Sequence, residues 1–167
     1  MKYCTNCGKE VSEGAKVCSN CGYSLNSNPN ANTPPVGQLK TNRSLAKFIL
    51  LSIITFGIYA LVVMSSISTD INTIASKYDG KKTMHYCLVV FIFSGLTFGI
   101  VPLVWHHRIS NRIGDELTRR GISYNFSAST YWLWNILGSM IFVGPFVYTH
   151  KLLTAMNLLC ENYNSNG

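Results

Sequence analysis

Three uncharged apolar runs, Phe48 to Met64, Cys87 to Trp105 and Tyr131 to Tyr148, constrain this chain more than any other feature. None contains Asp, Glu, Lys, Arg or His, and none shows the polar stripe of a helix on a soluble core. As helices rising 1.5 Å per residue, each covers about 26 to 28 Å, just enough to cross a hydrocarbon core of roughly 30 Å. The runs therefore predict a mainly α-helical integral membrane domain of about three spans. Charge agrees: charged residues are 13% of the chain, against about 25% in soluble proteins. A surface so poor in charge has to be covered by lipid or by partners.

The runs belong to an internal repeat. Thr55-Phe56-Gly57-Ile58 recurs as Thr97-Phe98-Gly99-Ile100, and a weaker third copy sets Pro145, Tyr148, His150 and Lys151 on Pro102, Trp105, His107 and Arg108. The period is about 42 residues, which makes three units of a domain over residues 41–163. Each apolar run continues into a polar segment with a helical stripe: Ile67, Ile71 and Ile74; Ile109, Ile113 and Leu117; Leu152, Met156 and Leu159. Such stripes suit amphipathic helices lying at the headgroups, or helices docked on the protein's own core. Asp79-Gly80 and Arg120-Gly121 mark helix ends, with Thr83 and Ser127 or Ser129 as caps for the next helices. Pro102 and Pro145 are expected to bend their helices near the interface. Gly95-x3-Gly99 matches the small-residue face through which membrane helices approach, and points to a homo-oligomer.

Ahead of this domain stands a different kind of module. Cys4-x2-Cys7-Gly8 and Cys18-x2-Cys21-Gly22 form two knuckles within residues 1–23. Four thiolates at this spacing suit one tetrahedral zinc ion, and the glycines permit the turns beneath the metal. The site is closed, so Cys4, Cys7, Cys18 and Cys21 are expected to hold structural Zn2+ in a small zinc ribbon, without hydrolytic chemistry. Cys87 and Cys160 stand alone, so the six cysteines are no disulfide framework, and zinc-holding thiols suit a reducing compartment. Residues 24–40, rich in Asn, Ser and Pro, read as a flexible linker with a reach on the order of 20 to 25 Å. The N-terminal residues lack the pattern of a cleaved signal peptide.

Several activities are disfavoured by the same residues. His85, His106, His107 and His150 sit beside the ends of the apolar runs, where an amphipathic ring suits the headgroup region. No carboxylate or thiol converges on them in sequence, so no catalytic residue is assigned and no enzyme is expected. The runs hold Ser52, Thr55, Ser94, Thr97, Asn135 and Ser139 but no ionisable relay, which disfavours proton-coupled transport. Fourteen Lys and Arg stand against seven Asp and Glu, yet no clustered basic face appears. Nucleic-acid binding by the ribbon is disfavoured accordingly.

The Thr-Phe-Gly-Ile-Tyr segment at residues 55–59, with Ile71-Asn72 further along, resembles an uncharacterised family of bacterial membrane proteins with that signature. The resemblance covers roughly residues 43–160 and implies a bacterial cell membrane, but carries no activity and no functional residue. Three crossings with a cytoplasmic ribbon put ten basic residues inside and Lys77, Lys81, Lys82 and Lys151 outside, in the positive-inside sense. Re-entrant hairpins tipped by each Thr-Phe-Gly-Ile would instead put all 14 on one side. Exposed loop backbone is costly in lipid, and three full spans are the preferred expectation. The leading functional expectation is a multi-pass, non-enzymatic adaptor or sensor whose ribbon recruits a protein partner. A homo-oligomeric channel or small-solute facilitator and a membrane-anchored nucleic-acid binder are the alternatives.

Overall fold

The computed structural model describes residues 38–167 and, nearer the N-terminus, the backbone of Lys2–Tyr3 and Glu10–Val11. The chain divides into two units, Met1–Pro34 and Pro35–Gly167. In the first, strands β1 (Lys2–Tyr3) and β2 (Glu10–Val11) pair antiparallel, Lys2 opposite Val11 and Tyr3 opposite Glu10. This ladder joins the two ends of the stretch that carries Cys4 and Cys7. The four cysteines of the ribbon and residues 24–37 of the expected linker lie outside the described residues, whereas the last part of that stretch is docked, Leu39 packing on the core.

In the second unit each apolar run falls on two helices rather than one. A short arm α1 (Leu45–Ile54) precedes a long helix α2 (Ile58–Asp79). The arm α3 (Tyr86–Leu96) leads into α4 (Ile100–Arg119). The arm α5 (residues 128–141) leads into α6 (Gly144–Asn166). The second and third arms contain wide π-type turns, at Val89–Phe93 and Tyr131–Ile136.

The chain reverses at each break. Arg43, ahead of α1, pairs with Asp70 of α2, and these two residues stand almost equally far from Phe56 on either side. Across the second break Trp105 Nε1 donates to the Met84 carbonyl at 2.8 Å and Arg112 reaches Thr83 Oγ1 at 2.7 Å. Across the third, the rings of Tyr131 and Tyr148 meet at 5.3 Å. Three helical hairpins result, with tips at Phe56, Phe98 and Phe142.

The first two tips are built alike, which gives the Thr-Phe-Gly signature a physical meaning. Phe56 and Phe98 both have φ 49°, and Phe142 has φ 57°. A left-handed residue after a helix lets the last carbonyls be capped. Gly57 N–H donates back to Ser52 O at 2.7 Å and Phe56 N–H to Ile53 O at 3.2 Å, a Schellman closure. Gly57 itself has φ 90°, which a side chain would oppose. Thr55 completes the tip: its hydroxyl donates to Leu51 O and accepts from Tyr59 N–H at 2.9 Å. All five donors from Thr55 to Tyr59 thus find acceptors inside the tip. Thr97 repeats both hydroxyl bonds, to Phe93 O and from Val101 N–H.

The long helices run parallel and in register. His106 meets Tyr148 and Arg120 meets Asn162, both pairs 42 residues apart, which aligns α4 with α6. Asn72 and Arg112, 40 apart, together with Arg119 stacked 3.5 Å over Tyr78, align α2 with α4. All three tips therefore lie at one end. At the other end the helices form the core, in which Ile67, Ile71, Ile74, Ile109, Ile113, Leu152, Met156 and Leu159 are completely buried and Leu117 is nearly so.

Three expectations change here. Of the two readings of the stripes, the interfacial one gives way: they face one another, as helices docked on the protein's own core. Three continuous spans are not shown: each apolar run is broken at its tip, and among the described helices only α2 is long and apolar enough to cross a membrane, with half of its most apolar window buried in the domain. Pro102 and Pro145 fall in the first turns of α4 and α6, where no intrahelical N–H is required, so they begin helices rather than bend them.

Each hairpin is tied to the preceding long helix. The Asn72 side chain donates to Thr83 O and accepts from Thr83 N–H, and Asn157 holds the Arg43 backbone by the same two bonds. Between them in the repeat stands Gly114, where a Cβ would collide with the Phe126 carbonyl oxygen. The lead-in of the first hairpin thus docks on the last helix, and the three units close into a ring. Thr83, expected as a helix cap, is the residue held by Asn72; Ser127 does cap, through a capping box with Thr130.

Candidate functional site

The end that carries the tips is apolar and uncovered. Phe56 and Phe98 are each 98% exposed and Phe142 85%. Leu50, Ile53, Ile54, Ile58 and Val62 surround the first tip, Leu96, Ile100 and Leu103 the second, and Met140, Ile141 and Val143 the third, all exposed. Monomeric soluble domains rarely leave so many large apolar side chains together in water. The contrast with the core end is local: within α2 the exposed aliphatic residues Ile58 and Val62 precede Met64, and the fully buried Ile67, Ile71 and Ile74 come after it.

The opposite end is held by ion pairs that, apart from the exposed Arg119, are largely buried. Arg43 bridges Asp70 of α2 and, at 3.6 Å, the Cys160 sulfur of α6. Arg112 makes hydrogen bonds to Asp79, Asn72, Thr83 and Ser76 and to the Lys81 carbonyl. Glu116 accepts from Arg119 at 2.6 Å and from Arg120 at 2.7 Å. Burial alone would raise the Glu116 carboxyl; the two guanidinium groups outweigh it and hold the group below its ordinary value. The same contest, decided by Arg112 and the Lys81 backbone, lowers Asp79. Burial pushes the Cys160 thiol up, so it stays protonated and unreactive. Apart from the buried Arg120 Nη2, which has no hydrogen-bond partner among the described residues, these groups satisfy one another and serve the fold.

A groove of about 770 Å³ opens between α2, α4 and the segment joining α2 to α3. It runs from Val89 and Val101 at the apolar side to Lys81, Lys82, Arg108 and Asp115 at the polar side. Arg112 on its wall is already fully engaged, and the histidines do not assemble a site within it. His107 accepts from Trp132 Nε1 at 3.0 Å, while His106 stacks on Tyr131 at 5.4 Å and meets the Tyr148 hydroxyl. His85 and His150 stand exposed and apart. Among the described residues no group of His, Cys, Asp or Glu comes together to hold a metal ion.

Gly95 and Gly99 do not form the face their spacing suggested. Gly95 lies in the short arm, whereas Gly99 is the positive-φ residue of the tip, so no continuous helix carries both. Sequence reasoning also missed the residues that close the ring, Arg43, Asp70, Asn72 and Asn157. The signal was present: positions 72, 114 and 157 are equivalent in the repeat, and two of them are asparagine.

For zinc, the donor set is complete in the sequence alone: four cysteines in two knuckles, with the β1–β2 ladder joining the ends of the first. Four thiolates fit one structural zinc ion with no position left for a substrate. Comparison with known proteins agrees in part. No curated protein and no solved structure matches the chain. Residues 3–25 match the family model of the zinc-ribbon domain, and residues 43–115 match that of a domain of unknown function, DUF4234, so the chain joins a zinc ribbon to a domain of that kind.

Proposed function

We propose that this chain is a non-enzymatic, membrane-attached zinc-ribbon adaptor of a bacterial cell membrane, with the ribbon on the cytoplasmic side. The observation that carries the reading is the gathering of three exposed apolar tips at one end of a domain whose other end is polar and closed. An apolar face of this kind suits lipid. The ribbon supplies what an adaptor needs, a small metal-held surface on a polar tether, and its closed thiolate set suits docking rather than catalysis. Carboxylates engaged by guanidinium groups and separated histidines assemble no acid–base or nucleophilic constellation among the described residues.

The test has two parts. Membranes washed at alkaline pH should retain the chain; release into the soluble fraction would refute attachment. In-cell crosslinking of the native chain and of a Cys18→Ser, Cys21→Ser variant that still reaches the membrane should then yield partners lost only from the variant. An unchanged set of partners would refute the adaptor role.

A further inference from the structure

Resting on that attachment, we infer that the domain enters only one leaflet of the bilayer, as three re-entrant helical hairpins, so that none of its described helices crosses the membrane.

Four observations on this fold lead to the same depth. The arms are short: α1 has 10 residues, about 15 Å of helix, or half of a roughly 30 Å hydrocarbon core. Opening a hairpin into a full span would break the bonds that close it, among them Arg43 to Asp70 and Trp105 to Met84. Parallel helices in register put all three tips at the same height, which a chain crossing three times would not do.

Charge marks the other limit. The first charged residue met on leaving each tip is basic: Lys47 before Phe56, Arg108 after Phe98 and Lys151 after Phe142, each nine or ten residues away. That separation is about 14 Å of helix. Lys47 and Arg108 are exposed, and Lys151 lies 6.0 Å over the Tyr124 ring. A basic rim at half the thickness of the core fits anionic headgroups of the leaflet that receives the tips. His107 and Trp132, bonded to each other, lie near the same level and suit the interface.

The usual objection to non-helical backbone in lipid is unpaired polar groups. The first tip answers it, since the donors from Thr55 to Tyr59 are satisfied within it, and in the second Thr97 repeats the two hydroxyl bonds.

Two landmarks, the docked Leu39 and the Lys81 carbonyl, fall at the far end. Asn164 holds the Leu39 backbone by two hydrogen bonds, which puts the entry of the linker beside the end of α6. The Lys81 carbonyl is held by Arg112, far along α4 from its tip. One-leaflet insertion thus keeps all 14 basic residues on the cytoplasmic side, including Lys77, Lys81, Lys82 and Lys151.

The deciding experiment uses the full chain in cells. Lys82→Cys and, separately, Lys77→Cys are treated with a membrane-impermeant maleimide before and after lysis, with the native chain as the background for its own cysteines. A reporter fused after Asn166 reads the other terminus. One-leaflet insertion predicts near-complete loss of labelling in intact cells, labelling after lysis, and a cytoplasmic reporter. Labelling of either cysteine in intact cells, or a reporter outside, would overturn the inference while leaving attachment and the adaptor reading standing. A chain released by the alkaline wash would remove attachment, and this inference with it.

Discussion

Replacing the three tip phenylalanines by asparagine separates the folding role of the tips from their role at a surface. Phe56, Phe98 and Phe142 are almost fully exposed, so their rings contribute little to packing within the domain. Their backbones sit at positive φ, where a bulky residue is strained and asparagine is among the better tolerated. Removing that strain is worth about 1 kcal/mol per tip. In solution, Phe56→Asn, Phe98→Asn and Phe142→Asn are therefore expected to leave the fold intact or slightly steadier. At a bilayer the sign reverses. Each ring moved from water into acyl chains contributes about 2 kcal/mol, so each substitution should weaken vesicle partitioning about thirtyfold. The triple variant should lose about 6 kcal/mol, on the order of ten-thousandfold. Flotation of the purified chain with anionic vesicles measures the partitioning, and circular dichroism in mild detergent measures the helices. A triple variant that floats like the native chain with its helices intact would refute the claim that the tips enter lipid. One that loses its helices would refute the claim that the tips carry no packing.

Named contacts set three further outcomes. Gly114→Ala should lower the thermal midpoint, by about 2 kcal/mol of stability, because its Cβ would meet the Phe126 carbonyl oxygen; Gly95→Ala meets nothing within 4 Å and should cost nothing in melting or in subunit count by light scattering. Glu116 is depressed in the folded state, so the unfolded chain binds the proton more readily. Its contribution is complete above the ordinary carboxylate value of 4.5 and is lost as pH falls through the lower folded value; Glu116→Gln should flatten the acid limb of a stability profile, and an unchanged limb would refute this. Removal of zinc by a strong chelator should change the signals of the ribbon residues in NMR while leaving the helical domain's dichroism in place, and a ribbon unaffected by metal loss would refute the four-thiolate assignment.

Much of the helical domain was legible from local pattern. The stripes at Ile67, Ile71 and Ile74 and their counterparts are the observed core, and Asp79-Gly80 ends α2 as its turn chemistry suggests, with Gly80 at φ 63°. What escaped was the break within each apolar run. Thr55-Phe56-Gly57 contains one weak helix breaker, and its Phe looks like one more lipid-facing residue. Only the combined bonds of Thr55 Oγ1, Gly57 N and Phe56 N make the segment a tip. Arg43 was counted as one positive charge; its partners Asp70 and Cys160 lie 27 and 117 residues away, beyond any local pattern.

The division has a physical basis. Hydrophobic periodicity, cysteine spacing and turn residues act over a few residues, so the mainly helical character, the buried stripes, the helix ends at Asp79-Gly80 and Arg120-Gly121 and the zinc ribbon were legible in the chain alone. Direction and depth depend on which surfaces meet across the chain. Parallel packing of three stripes, the Asn72 and Asn157 clamps and the closure of Arg43 on Asp70 decided that each apolar run folds back on itself and that its tip stands exposed.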